Sequence, residues 1–206
     1  MARPKRQAAR REQLVHAACQ VMARRGVRGL RIKDVAAESG VSPGLVSYYF
    51  PDLAQLIFEV HQHAVERFYW ARRRRVEELA SPIAALRRLA YDGIPQSPDD
   101  VVPRALNALH VYASHNDAHA VLMTQLFDRE VSLYAEVLQR GADAGAFQLT
   151  QPPRSIGIQA VAIEDAMGLH VVARNAMLDR DSAAAALIDY LSMATSCRLS
   201  DDALAS

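Results

Sequence analysis

The chain has 206 residues, half of them hydrophobic, with 24 Lys or Arg against 23 Asp or Glu. That length admits one or two domains and that apolar content suffices for a sizeable core, so a soluble globular protein is expected. The uncharged run from Ala105 to Asn116 is 12 residues, short of the roughly 18 of a membrane span, and MARPKRQAARREQL lacks the apolar core of a secretory signal. Cys19 and Cys197, far apart and each in an apolar helical pattern, read as reduced cytosolic thiols rather than a disulfide framework or a metal site.

The small net charge hides an asymmetry. Residues 1–50 carry ten Lys or Arg against three acids, and residues 51–206 carry fourteen Arg against twenty acids. One end suits a polyanion, although charge alone does not separate nucleic acid from an anionic membrane or a solubilising role. In chain order, Leu14, Ala18, Val21 and Met22 form one apolar helical face between Arg10 and Arg25, and Gly26 ends it. A second short helix is expected from Ile32 to Ser39, broken by Gly40. A third opens at Ser42, a natural N-cap, with Pro43 at the first helical position. Two helices across a tight glycine turn make a helix-turn-helix. Val46 and Phe50, four residues apart, would pin the third helix inward, leaving Ser42, Pro43, Gly44, Ser47, Tyr48 and Tyr49 for a partner. Tyr beside Phe in a short helix is also ordinary core packing.

The stretch REQLVHAACQVMARRGVRGLRIKDVAAESGVSPGLVSYYFPDLAQLIFEV, from Arg11 to Val60, resembles the DNA-binding domain of the TetR family of transcriptional regulators. The D-V-A-A-E-S-G-V-S-x-G core, the Y-Y-F ending and the apolar start of a fourth helix carry the likeness, and G-L-V-S-Y-Y-F is most similar to the BetI-like branch. The resemblance implies that residues 43–49 form a recognition helix in the major groove. Ser42, Pro43, Gly44, Ser47 and Tyr48 then lie near bases and backbone, and Tyr49 and Lys33 near phosphates. Two positions depart from the pattern: Arg31 stands where a capping threonine is common, though it could itself bind phosphate, and Leu53 stands where a lysine is usual. The basic arm, with Arg3, Lys5, Arg6, Arg10 and Arg11, is either a further DNA contact or a solubilising tail.

The fourth helix is expected from Leu53 to Leu79. Within it Arg72 to Arg75 read as a solvated face, because Arg73 and Glu77, and Arg74 and Glu78, are i,i+4 pairs. A new helix starts at Ser81-Pro82, a Pro-rich loop spans Gly93 to Pro103, and further helices are expected at about 104–115, 119–141, 154–177 and 182–197. Met123, Phe127, Val131, Tyr134 and Leu138 repeat as a buried face. The fold class is therefore all-α. Together with the resemblance this implies a three-helix DNA-binding head with its basic arm over residues 1–52 and a helical ligand-binding and dimerisation body over 53–206.

In SIGIQAVAIEDAMGLHVVA apolar residues occupy more than one face, so this helix is either central in the core or covered by a partner. The resemblance implies a homodimer through the last two helices, placing Ile156, Ala160, Ile163 and Met167 at the interface. A twofold dimer would present two recognition helices to a pseudo-palindromic site on double-stranded DNA. The resemblance also implies a small-molecule effector in the body, with His110, Tyr112, Met123, Phe127, Asp165 and His170 as candidate lining residues. No membrane partner and no cofactor are expected. An enzyme remains an alternative, but no G-x-S-x-G, H-E-x-x-H, P-loop or dinucleotide pattern occurs, and the histidines lack the i,i+4 spacing of a helical metal pair. A nonspecific architectural DNA-binding protein, the other alternative, would explain the charge but not the large apolar body.

Overall fold

The computed structural model describes residues 2–199, with side chains from Arg6 onward. Arg3 and Lys5 of the basic arm thus lie outside the described side chains. Among the described residues the chain is helical throughout: α1 (Ala2–Arg25), α2 (Ile32–Ser39), α3 (Pro43–Tyr49), α4 (Leu53–Glu77), α5 (Pro82–Gly93), α6 (Val101–Ala113), α7 (Asp117–Asp143), α8 (Pro153–Val172) and α9 (Arg180–Thr195). A single 3-10 turn, Val27–Gly29, links α1 to α2.

Local chemistry sets the boundaries. The Ser42 hydroxyl accepts from Leu45 N–H and Pro43 opens α3; Ser81 and Pro82 do the same for α5. Gly40 ends α2 with φ 70°, a left-handed conformation in which its N–H reaches the Ala36 and Ala37 carbonyls. The N-terminal arm is helical from Ala2, continuous with α1. Its Ala, Arg, Gln and Glu residues are strong helix formers.

The chain divides into two compact units, Met1–Phe68 with Val101–Met123, and Tyr69–Asp100 with Thr124–Ser206. The first thus extends beyond residue 52. Leu14, Ala18, Val21 and Met22 of α1 pack with Val35, Val46, Phe50, Leu56 and Val60, and Ala105 and Leu109 of α6 join the same core. Arg104 of α6 also donates to the Ala23 carbonyl at 2.8 Å. Those contacts place α6 in the first unit.

In the second unit Leu86 and Leu89 of α5, Val131, Tyr134 and Leu138 of α7, Ile156 and Ala160 of α8, and Leu187 and Leu191 of α9 form one core. The connection after α7 folds back onto it. Phe147 lies over Gly141, where a Cβ would stand 2.0 Å from the ring. Gln148 and Thr150 N–H groups cap the Thr195 and Ala194 carbonyls of α9 at 2.8 and 3.0 Å. Of the face expected on α7, Val131, Tyr134 and Leu138 are buried in this core, whereas Phe127 is 39% exposed and Leu126 and Glu130 are buried in its place, because steps of four residues drift off a 3.6-residue face.

The second unit also buries charge. Arg72, read from sequence as part of a solvated run, is 2% exposed. Its guanidinium donates to both Glu164 carboxylate oxygens at 2.7 Å, to Glu130, and to the Leu89 carbonyl at 3.0 Å. The Tyr134 hydroxyl donates to Glu164 at 2.9 Å. Burial pushes Glu130 well above the usual carboxylate range against the pull of Arg72. Its neighbour Arg73 does make the expected i,i+4 pair with Glu77.

Candidate nucleic-acid interface

The short α3 offers two faces. Val46 and its C-cap Phe50 are buried, whereas Ser42, Pro43, Gly44, Ser47 and Tyr48 are exposed. Tyr48 is 70% exposed, and its ring meets that of half-buried Tyr49 edge-on at 5.3 Å. A Cβ added at Gly44 would meet nothing within 4 Å. Packing within the chain therefore does not require the missing side chain; the bare backbone faces outward. A glycine, a proline, a serine hydroxyl and a phenol on one helix face form a surface that admits close approach and offers hydrogen bonds.

On α2, Lys33 is exposed. Arg31 provides no side-chain cap for α2; its exposed guanidinium bends back to the Arg28 and Leu30 carbonyls at 2.7 and 2.9 Å. Leu53, at the position where a lysine was expected, packs against the core of the first unit. Of the basic arm, Arg6 is exposed, but Arg10 donates to Gln13 at 2.7 Å and Arg11 binds Glu59. Arg11 is thus engaged inside the head, whereas the Arg10 bond to Gln13 lies at its surface. Arg11 lies three residues before Leu14 on the apolar stripe of α1, and a charge on a buried stripe is the signal that could have revealed it.

The effector candidates divide between the units. In the first, Met123 Sδ lies 3.1 Å from His61 Nε2, and the Tyr112 ring meets His119 edge-on at 4.9 Å. His110 is exposed, and its field contributes to lowering His61. Tyr112 also lines a groove of about 590 Å³ with Val27, Arg28, Ala108 and His115. In the second unit Phe127, Asp165 and His170 are exposed, and His170 pairs with Asn175 at 3.1 Å. A groove of about 940 Å³ there, lined by Gln139, Arg140 and Arg154 among others, includes none of them.

Two of the four expected dimer residues need correction. Ile156 and Ala160 are fully buried in the core of their own unit, and Ile163 and Met167 pack half-buried against it. Their stripe is the inner face of α8. The apolar side chains that α8 and α9 leave uncovered are Ile158, Leu169 and Met193.

Cys19 and Cys197 are both free, and burial pushes the Cys19 thiol up to about 11, which makes it a poor nucleophile. Among the described residues no group of three or more His, Cys, Asp or Glu is placed to hold a metal ion.

A capped two-turn helix presenting glycine, serine and tyrosine, joined through the Gly40 turn to an α2 that exposes Lys33, defines a helix-turn-helix DNA-binding protein. Residues 14–60 match the family of bacterial regulatory proteins described as tetR. The HTH-type transcriptional regulator YfiR of Bacillus subtilis (strain 168) is 26% identical over 149 residues, 71% of this chain and 72% of YfiR. Two solved structures share the fold. A TetR-family transcriptional regulator from Rhodococcus sp. is 24% identical with a TM-score of 0.76, covering 91% of this chain and 99% of its own. A transcriptional regulator from Saccharomonospora viridis, solved in complex with choline, is 21% identical with a TM-score of 0.82, covering 90% and 96%. Residues 14–60 thus carry a DNA-binding domain of the TetR type, and the chain is a sequence-specific DNA-binding transcriptional regulator.

Proposed function

We propose that this regulator is a cytoplasmic repressor that binds a pseudo-palindromic operator as a homodimer and is released by a small-molecule effector. The observation that carries the DNA-contact reading is the outward face of α3: Gly44 has open space where a side chain would stand, and Tyr48 is exposed beside it. On this reading Pro43, Gly44, Ser47 and Tyr48 approach base edges, Ser42 lies beside the backbone, and Tyr49, Lys33 and Arg31 contact phosphates. The uncovered Ile158, Leu169 and Met193 on α8 and α9 support dimerisation. The choline bound to the S. viridis neighbour supports a small organic effector. Tyr112 and Met123, gathered at the His61–His119 pair, are the first residues to test for a response to it.

The test is to let the purified protein select fragments from its own genome, sequence them, and footprint the enriched site. Protection of two half-sites about 34–36 Å apart is expected for a twofold pair of recognition helices. Binding without any enriched sequence would overturn the reading in favour of an architectural protein. Screening small organic ligands for release of the enriched fragment then tests the effector step, and a transcription assay on the same promoter decides between repression and activation.

A further inference from the structure

The recognition helix has few anchors of its own. It spans seven residues, and within it only Val46 is buried. Val46 and the buried C-cap Phe50 seat the inner face of α3, but reading base edges requires groups held to within about 0.5 Å. A polar tie at the C-terminal end of α3 adds to that packing, and α1 supplies it.

Arg11 Nη1 donates to the carbonyl of Tyr49, the last residue of α3, at 2.8 Å. The other edge of the same guanidinium grips Glu59 of α4: Nε lies 2.8 Å from Oε2, and Nη2 donates to Oε1. Its face covers the Phe50 ring, with Cζ 4.3 Å from the ring centroid. Phe50 is the C-cap of α3, and its N–H bonds the Val46 carbonyl at 2.8 Å. A cation at a helix C-terminus also complements the helix dipole. The neighbouring residues repeat the arrangement on α2. Gln13 donates to the carbonyl of Ser39, the last residue of α2, at 3.1 Å, and Arg10 holds Gln13 at 2.7 Å. Arg11, which charge alone would assign to DNA, thus holds the C-terminal end of α3, and Arg10 reaches that of α2 only through Gln13.

We propose that Arg11 and Glu59 form a latch that positions the recognition helix, so that they set operator specificity without touching DNA. Only a planar fork satisfies all of its contacts. It spans both oxygens of one carboxylate, leaves an N–H for the carbonyl, and presents a flat face to Phe50; a lysine offers a point charge with none of that geometry. The inference rests on α3 being the helix that reads DNA.

Glu59→Gln separates positioning from attraction. It removes an acid from the DNA-binding head, so electrostatics alone would strengthen binding to any duplex, whereas the latch requires operator binding to weaken. Wild type, Glu59→Gln, Arg11→Lys and Arg11→Ala are titrated against the operator that wild type selects and a scrambled duplex of equal length, over a salt series. Loss of a charge-assisted anchor is expected to weaken operator binding about tenfold in each variant. For Glu59→Gln and Arg11→Lys, scrambled-duplex affinity should not fall and the salt slope should stay that of wild type. Operator binding retained or improved in Glu59→Gln overturns the proposal. So does an equal loss on both duplexes in Arg11→Ala with the slope flattened by about 0.9, the mark of a direct phosphate contact. Should Arg11→Ala not fold, the nearly isosteric Glu59→Gln carries the test alone. A wild type that prefers neither duplex overturns the recognition-helix reading itself, a result distinct from a variant that matches a discriminating wild type.

Discussion

His61 and His119 face one another in the interior of the first unit, Nδ1 to Nδ1 at 2.9 Å, with their rings stacked 5.1 Å apart. The thioether of Met123, 3.1 Å from His61 Nε2, has no proton to give. His61 therefore carries its hydrogen on Nε2, and its bare Nδ1 accepts from His119 Nδ1–H. A further proton on His61 would set two N–H groups against each other. Burial first, then the fields of His119 and His110, push His61 down to about 4, and burial lowers His119 as well.

An unfolded imidazole titrates near 6.5, so between about pH 6.5 and 4 the unfolded chain binds more protons than the folded one, and stability rises with pH. The contribution from His61 is fully present above about pH 6.5 and is lost as pH falls toward 4, to a total on the order of 3 kcal/mol. The urea midpoint of wild type, followed by helical circular dichroism, should drop between pH 7 and pH 5. His61→Leu should begin lower at pH 7, because His119 Nδ1–H loses its acceptor at a cost of about 1–3 kcal/mol, but should drop less on acidification. Identical pH dependence in the two proteins would remove His61 as the source.

In the second unit Gly93 makes room for the buried ion pair. A Cβ there would stand 2.0 Å from Glu164 Oε2, an oxygen already bonded to Arg72 and Tyr134. Glu164 cannot swing aside without leaving Arg72 short of a partner in the interior. Gly93→Ala should therefore destabilise the second unit by about 3–5 kcal/mol, the range for breaking one side of a buried pair. An unchanged thermal midpoint would show that the carboxylate has another place to go.

The two adjacent tyrosines should differ in what their loss costs. Tyr48 is exposed, so Tyr48→Ala should leave stability within about 0.5 kcal/mol while weakening operator binding by about 1–3 kcal/mol, the scale of one base contact. Tyr49 packs against the core of the first unit, so alanine there would confound folding with binding. Tyr49→Phe keeps the ring and removes the hydroxyl; a phosphate role predicts a similar loss on operator and scrambled DNA alike. Gel-shift titrations on both duplexes, with thermal melts of the same samples, check each expectation.

Helix boundaries were legible in the sequence because they are set locally. Ser42 and Pro43, Ser81 and Pro82, and Gly40 act within one turn of their own helix, so sequence order alone places the starts of α3 and α5 and the end of α2. The Arg72 network was not legible, because Glu130 and Glu164 stand 58 and 92 residues away and only tertiary packing selects them. Beside a run of arginines with i,i+4 acids, Arg72 looks solvated. Arg11 is similar: its charge suggests DNA, but its place on the stripe of Leu14 and Ala18 turns it toward Glu59. In α8 apolar residues surround the axis, so periodicity gives no preference between the stripe of Ile156 and Ala160 and that of Ile158 and Leu169.

The distinction within α8 yields the last prediction. Ile158 is 43% exposed, whereas Ala160, two residues on, is fully buried in the core of its own unit. A carboxylate at position 158 meets solvent in the isolated chain and costs little. At a twofold interface it is duplicated, desolvated and unpaired. Ile158→Glu should therefore remain folded, sediment as a monomer, and lose tight operator binding, because a single head engages one half-site. Ala160→Glu should instead lower the thermal midpoint of the chain itself, since the charge enters the core of its own unit with no partner. Sedimentation, melting and operator titration on the same three samples separate these outcomes. An Ile158→Glu protein that remains dimeric and binds operator as tightly as wild type would show that dimerisation uses another surface.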